Sequence, residues 1–275
     1  MGMWLFMVDS ESKSFTNVLG WFLFVIFLLT ATAIPFIREY LPIISLQYIR
    51  EGLEVLGYFC VVIIILSAGK NIGDYYLDRF SLLLLIIFPG FFSSVPDEVQ
   101  GILMIIIFLV PVFASLVLFR HVRRTESFRK GNLKDLLKYL LLGISIALFL
   151  FLLLIVFGFN YKISNLNQID VLTFVGYLFN NLSLSATIEE FLFRGFVLGY
   201  LLHKTKLQPF LAILSQALLF WVPHLHQYQN PFLLQLSIPI FGFVMGWFTY
   251  KTANITTGII AHAIYNSLID IFLYL

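Results

Sequence analysis

The sequence predicts an all-α fold, a polytopic transmembrane helix bundle of about nine spans (eight to ten) running N-in to C-out. Three observations predict it. Of 275 residues, 60% are hydrophobic and only 12% charged, against roughly 25% charged in soluble domains. The mean hydropathy is +0.94, and with 31 Phe the chain carries more apolar surface than a globule of this size could hide from water. The apolar residues gather into runs near the roughly 20 residues that cross about 30 Å of hydrocarbon, and basic residues cluster in alternate connections. A soluble enzyme and a disordered chain are excluded. A disulfide framework and a cysteine-rich metal site are excluded too, because Cys60 is the sole cysteine.

The apolar runs fall at about 18–37, 52–69, 80–95, 101–119, 136–159, 171–203, 209–226, 232–250 and 254–275. Span one carries Ala31-Thr32-Ala33, which resembles a signal-peptide cleavage site. The segment before it sets Asp9 and Glu11 against one Lys13, a poor positive n-region, so a retained anchor is expected. Span three is short and contains Pro89-Gly90. Span six is too long for a simple crossing and is expected to tilt, kink or project past the bilayer.

Nine spans starting inside put 1–17, 70–79, 120–135, 204–208 and 251–253 on the cytoplasmic side. With Lys138 at the lip of span five, these hold 13 of the 17 basic residues. The outside loops hold only Arg38, Arg50 and Lys162, the split expected of positive-inside topology. Segment 120–138 alone has seven basic residues. It reads as orientation signal and anionic-lipid contact, with no nucleic-acid partner, since Phe128 is its one candidate stacking residue. It also divides the chain into 1–135, an N-terminal bundle of about four spans plus basic cytoplasmic linker, and 136–275, a C-terminal transmembrane unit.

Ionisable groups inside spans are expensive and usually functional. Span six contains Thr187-Ile188-Glu189-Glu190-Phe191-Leu192-Phe193-Arg194-Gly195. Glu190 and Arg194 are four residues apart on one helical face and can pair. Glu189 points about 100° away and is the better candidate to face a water-filled cavity. A purely architectural ion pair would leave Glu189 without a partner. Span seven adds Phe220-Trp221-Val222-Pro223-His224, and span nine adds His262 and Asn266 on one face. At ~1.5 Å per residue, Glu189, His224 and Asn266 each lie about 22 Å from the cytoplasmic end of their span, and His262 about 16 Å. His203 and His226 sit near span ends and are left out of the site. The pairs Gly195/Gly199 and Gly242/Gly246 let helices approach closely.

A carboxylate and histidines in a membrane cavity suit water activation. Glu189 can take the proton, His224 can hold the water, and His262 with Asn266 can donate to an oxyanion. The constellation fits peptide-bond hydrolysis inside the bilayer. The chain has neither a G-x-S-x-G elbow nor an H-E-x-x-H helix, and paired aspartates in separate spans are missing. A zinc site of Glu189, His224 and His262 is left open by the spacing.

The Glu-Glu-x-x-x-Arg, Phe-x-x-x-His and His-x-x-x-Asn trio, in that order on separate spans, resembles the CAAX protease and bacteriocin-processing (CPBP, or Abi) family of intramembrane endopeptidases. That family includes the Ras-converting CAAX endopeptidases. The resemblance covers about 170–275, and Phe193-Arg194-Gly195 supplies the usual surroundings of the first motif. It implies that Glu189 activates water, Glu190 is its partner, and Arg194 anchors that partner. It also implies that His224 helps bind the water and that His262 and Asn266 stabilise the oxyanion. No cofactor is required on this glutamate-type scheme, with zinc as the alternative. The implied partners are a membrane-anchored or lipid-modified peptide or protein substrate and the bilayer itself. A non-proteolytic immunity factor or scaffold of the same fold is the competing reading, and a transporter is a third. Short loops and the Glu-Glu-Phe-Leu-Phe-Arg-Gly wording point to a bacterial cytoplasmic membrane.

Overall fold

The computed structural model describes residues 10–37, 40, 56–66, 68–87, 116–118, 120, 132–158, 171–183, 185–225 and 233–274. Every regular element among them is helical. In chain order they are α1 (Ser10–Ile37), α2 (Leu56–Leu66), a 3-10 turn (Gly69–Tyr75), α3 (Arg79–Ile87) and α4 (Leu133–Gly158). Then come α5 (Val171–Ser183), α6 (Ser185–Glu189), a π segment (Glu190–Val197) and α7 (Leu198–His203). The last are α8 (Pro209–Trp221), a short 3-10 turn (Val222–His224), α9 (Leu233–Thr252) and α10 (Thr256–Tyr274). Two described stretches are long and apolar enough to cross a membrane, Leu133–Val156 and Val171–His203; Val18–Ala33, Leu56–Leu66 and Pro209–His224 are shorter apolar helices. Most of the expected fourth span and of the basic linker lies outside the described residues.

The long sixth run changes helical geometry along its length. α5, α6, the π segment and α7 follow one another within it. The π segment holds Glu190 and Arg194, and all eight of its residues are buried. π turns are rare and concentrate at functional sites.

α10 is the central helix. It packs along α4 and α5 and touches α3, α6, α9 and the π segment. Glycine permits the closest of these contacts: a Cβ on Gly143 of α4 would stand 2.8 Å from Ile260 of α10. α8 and α9 pair in the same way. A Cβ on Gly246 would stand 2.6 Å from Gln216 Oε1, and one on Gly242 3.2 Å from the Ala217 backbone.

The N-terminal elements share one core with these helices. On α1, Gly20, Phe24 and Phe27 are buried, while Val18, Phe22, Val25 and Leu29 are exposed, the three-to-four spacing of a helix with one packed face. Phe24 meets Phe193 and Phe196, and Trp21 meets Phe196 and Tyr200, at ring centroids 4.7–6.2 Å apart. The 3-10 turn also packs on the π segment, where Tyr75 stacks on Phe196. A Cβ on Gly199 would stand 2.6 Å from Asp74 O, and one on Gly195 3.4 Å from Tyr75 O. The close approach expected at these two glycines is therefore to a turn before α3.

Asp78 follows that turn and caps α3. Its Oδ1 accepts from the N–H groups of Phe80 (2.8 Å) and Ser81 (2.9 Å), an N-cap geometry. The same carboxylate lies 2.6 and 2.8 Å from the Thr256 hydroxyl at the start of α10. Tyr76 O accepts the Ile255 N–H at 3.1 Å. Asn254 caps α10, accepting from the Thr257 N–H at 3.1 Å.

Candidate active site

Three chain segments bring the candidate residues together. The π segment presents Glu190 and Arg194, with Glu189 immediately before it. The 3-10 turn after α8 presents His224, and α10 presents His262 and Asn266. Pro223 ends the α-helical ladder of α8, because it has no N–H to donate, and the chain tightens there into the 3-10 turn.

Glu190 and Arg194 are fully buried and paired at 3.0 Å. The guanidinium carbon lies 4.1 Å from the centroid of the Phe220 ring and 5.7 Å from that of Phe241. A desolvated cation over ring faces gains about 2 kcal/mol, which offsets part of its burial cost. The opposite carboxylate oxygen, Glu190 Oε2, rests against α10, where a Cβ on Gly258 would stand 2.5 Å away. Only glycine leaves room for a carboxylate at that position.

His262 joins the two glutamates. Its Nδ1 lies 2.9 Å from Glu190 Oε1, and its Nε2 lies 3.8 Å from Glu189 Oε2. His224 Nδ1 lies 2.8 Å from Phe220 O, and its Nε2 lies 3.9 Å from the same Glu189 oxygen. A backbone carbonyl only accepts, so His224 Nδ1 donates. Glu190, facing Arg194, likewise accepts from His262 Nδ1. Both imidazoles thus turn Nε2 toward Glu189. The Glu189 side chain is 21% exposed, against 0% for Glu190, the division of access that helix geometry predicts for adjacent residues.

Asn266 lies one turn beyond His262 on α10 and is half-buried. Beyond it, Asn181 of α5 donates to Ser267 (3.2 Å) and Asp270 (2.9 Å) of α10 and accepts from Ser185 (3.2 Å). Of the polar residues on span six, Asn181 therefore bonds across helices. His203 is exposed at the end of α7, and His226 lies outside the described residues. Among the described residues, no group of three or more His, Cys, Asp or Glu is arranged to hold a metal ion.

Phe241 and Gly258 escape sequence reasoning. Phe241 stacks on Tyr265 and lies 4.9 Å from His262 as well as beneath Arg194. It is one of many phenylalanines, and only packing sets it apart. Gly258 carries no motif, and its signal is purely steric. Chemically, a carboxylate oxygen between two imidazole nitrogens can hold and deprotonate a water. A buried carboxylate behind one imidazole can stabilise its protonated form.

No protein of curated function and no solved structure matches the chain. Residues 171–268 match the family described as type II CAAX prenyl endopeptidase Rce1-like. This segment begins at α5 and ends after Asn266, so it holds all six candidate residues. Over these residues, a little over a third of the chain, the protein is similar to the CAAX protease (CPBP) family.

Proposed function

We propose that the chain is a multi-pass intramembrane endopeptidase of about nine spans, N-in and C-out, which hydrolyses a peptide bond of a membrane-anchored or lipid-modified substrate. The observation that carries this reading is Glu189 Oε2, 3.9 Å from His224 Nε2 and 3.8 Å from His262 Nε2. These separations are too long for direct hydrogen bonds and suit a water between the three groups.

The proton count assigns the roles. A water has two hydrogens, and here it would face three acceptors if both imidazoles were neutral. One of the three groups must then donate to the water rather than accept from it. His262 is fitted for this, since Glu190 lies on its Nδ1 at 2.9 Å. As an imidazolium it offers Nε2–H, with the Asn266 amide, to the oxyanion. Glu189 takes a proton as the water oxygen bonds to the carbonyl carbon, while His224 holds the second hydrogen. The tetrahedral intermediate then loses the C–N bond, and the proton on Glu189 passes to the leaving amine. Arg194 pairs with Glu190 behind His262 at 3.0 Å and touches no reacting atom.

The test is cleavage of a membrane-anchored peptide in proteoliposomes, with new termini read by mass spectrometry, for wild type, Glu189→Gln and His262→Ala. The reading expects cleavage by wild type and none by either variant. Equal processing by all three would leave the immunity or scaffold reading in its place. Chelation with zinc add-back separates the two water-activation schemes: a glutamate-only site keeps its activity, whereas a zinc site loses and recovers it.

A further inference from the structure

The stretch from the end of the first 3-10 turn into α3 touches both helices that carry the buried part of the site. On one side, the Asp74 backbone sits where a side chain on Gly199 of α7 would otherwise stand, and Tyr75 O rests 3.4 Å from the Cβ position of Gly195 in the π segment of Glu190 and Arg194. On the other side, Tyr76 O accepts from Ile255, and the Asp78 carboxylate meets the Thr256 hydroxyl at 2.6 and 2.8 Å. Thr256 is two residues before Gly258, against which Glu190 Oε2 rests. It is six residues before His262, about 9 Å along a rigid helix. Asp78 is only 1% exposed. Burial pushes its carboxyl up, and hydrogen bonds from Thr256, Ser81 and Phe80 oppose that. A buried carboxylate satisfied this fully is a rigid joint.

We propose that residues 74–81 form a bracket fixing the π segment against α10, with Asp78 the positioning residue that holds Glu190 and His262 at bonding distance. The bracket rests on the endopeptidase reading only for its activity arm. Thr256→Val removes the hydroxyl while keeping the shape, and Thr256→Ser keeps the hydroxyl. With purified full-length protein, Thr256→Val is expected to lower kcat roughly tenfold to a hundredfold with KM unchanged, the scale of a misplacement near 1 Å. It is also expected to shift the His262 Nδ1 resonance in ¹⁵N-histidine-labelled protein. Thr256→Ser should restore both. Ile213→Ala, a core deletion on α8, should lower Tm without moving that resonance. Should Thr256→Val not fold, Thr256→Ala is read in the same way, because it too removes the hydroxyl and leaves the Asp78 carboxylate capping α3.

A His262 resonance unmoved by Thr256→Val, or moved equally by Ile213→Ala, overturns the bracket. If the wild type cleaves nothing, the endopeptidase reading fails, and the His262 resonance still decides the bracket on its own.

Discussion

Glu189 and Glu190 are adjacent in sequence and opposite in environment, so the same substitution should do different things to each. Glu189 Oε2 has no hydrogen-bond partner among the described residues. Glu189→Gln should leave Tm near that of wild type while cleavage falls by about 10²–10⁴, the usual contribution of a general base. Glu190→Gln strands the Arg194 charge in a fully buried site. Removing one partner of a buried pair costs about 3–5 kcal/mol, read as a lower Tm in detergent. Adding Arg194→Met to that variant should recover much of the loss, because no uncompensated charge remains. Both carboxylates, the arginine and the histidines were legible in the sequence, since charges are costly in an apolar run and stand out. The Glu190–His262 bond was not. Helical spacing fixes neighbours on one helix and says nothing of which side chain on another helix will meet them.

At the level of elements, glycine sets how closely the helices that carry the site can approach. Gly258→Ala would put a methyl group 2.5 Å from Glu190 Oε2 and should displace the carboxylate from His262. Cleavage should drop sharply, with a fall in Tm. Gly176→Ala on α5 meets nothing within 4 Å and should be silent in cleavage, with a gain of up to about 1 kcal/mol from helix propensity. The pair separates steric fit from propensity in one set of melting curves and one cleavage assay. The glycine pairs at 195/199 and 242/246 were recognisable as close-approach surfaces. The partner of the first pair, a turn some 120 residues earlier in the chain, was beyond any local pattern. The length of span six signalled an irregular helix, but the π geometry of Glu190–Val197 leaves no mark in hydropathy.

For the whole molecule, apolar composition alone makes a helical fold legible, because few other structures satisfy the backbone of so apolar a chain. The proposed nine-span topology rests on the basic residues and can be checked directly. In a chain with Cys60 replaced, Ser127→Cys should react with a membrane-impermeant maleimide only after permeabilisation, and Asn167→Cys should react in intact cells. The opposite pattern would reverse the orientation. The sequence divides naturally at the basic linker, yet one buried core joins α1, α2 and α3 to the C-terminal helices, a union of side chains that no run of apolar residues announces. The joint from Asp78 to Thr256 spans 178 positions of chain and gives that union a practical meaning. The smallest heritable unit of this site is not contiguous: a chimera that transplants 171–275 without 69–87 would carry every motif residue and lack the piece that holds two of them in register.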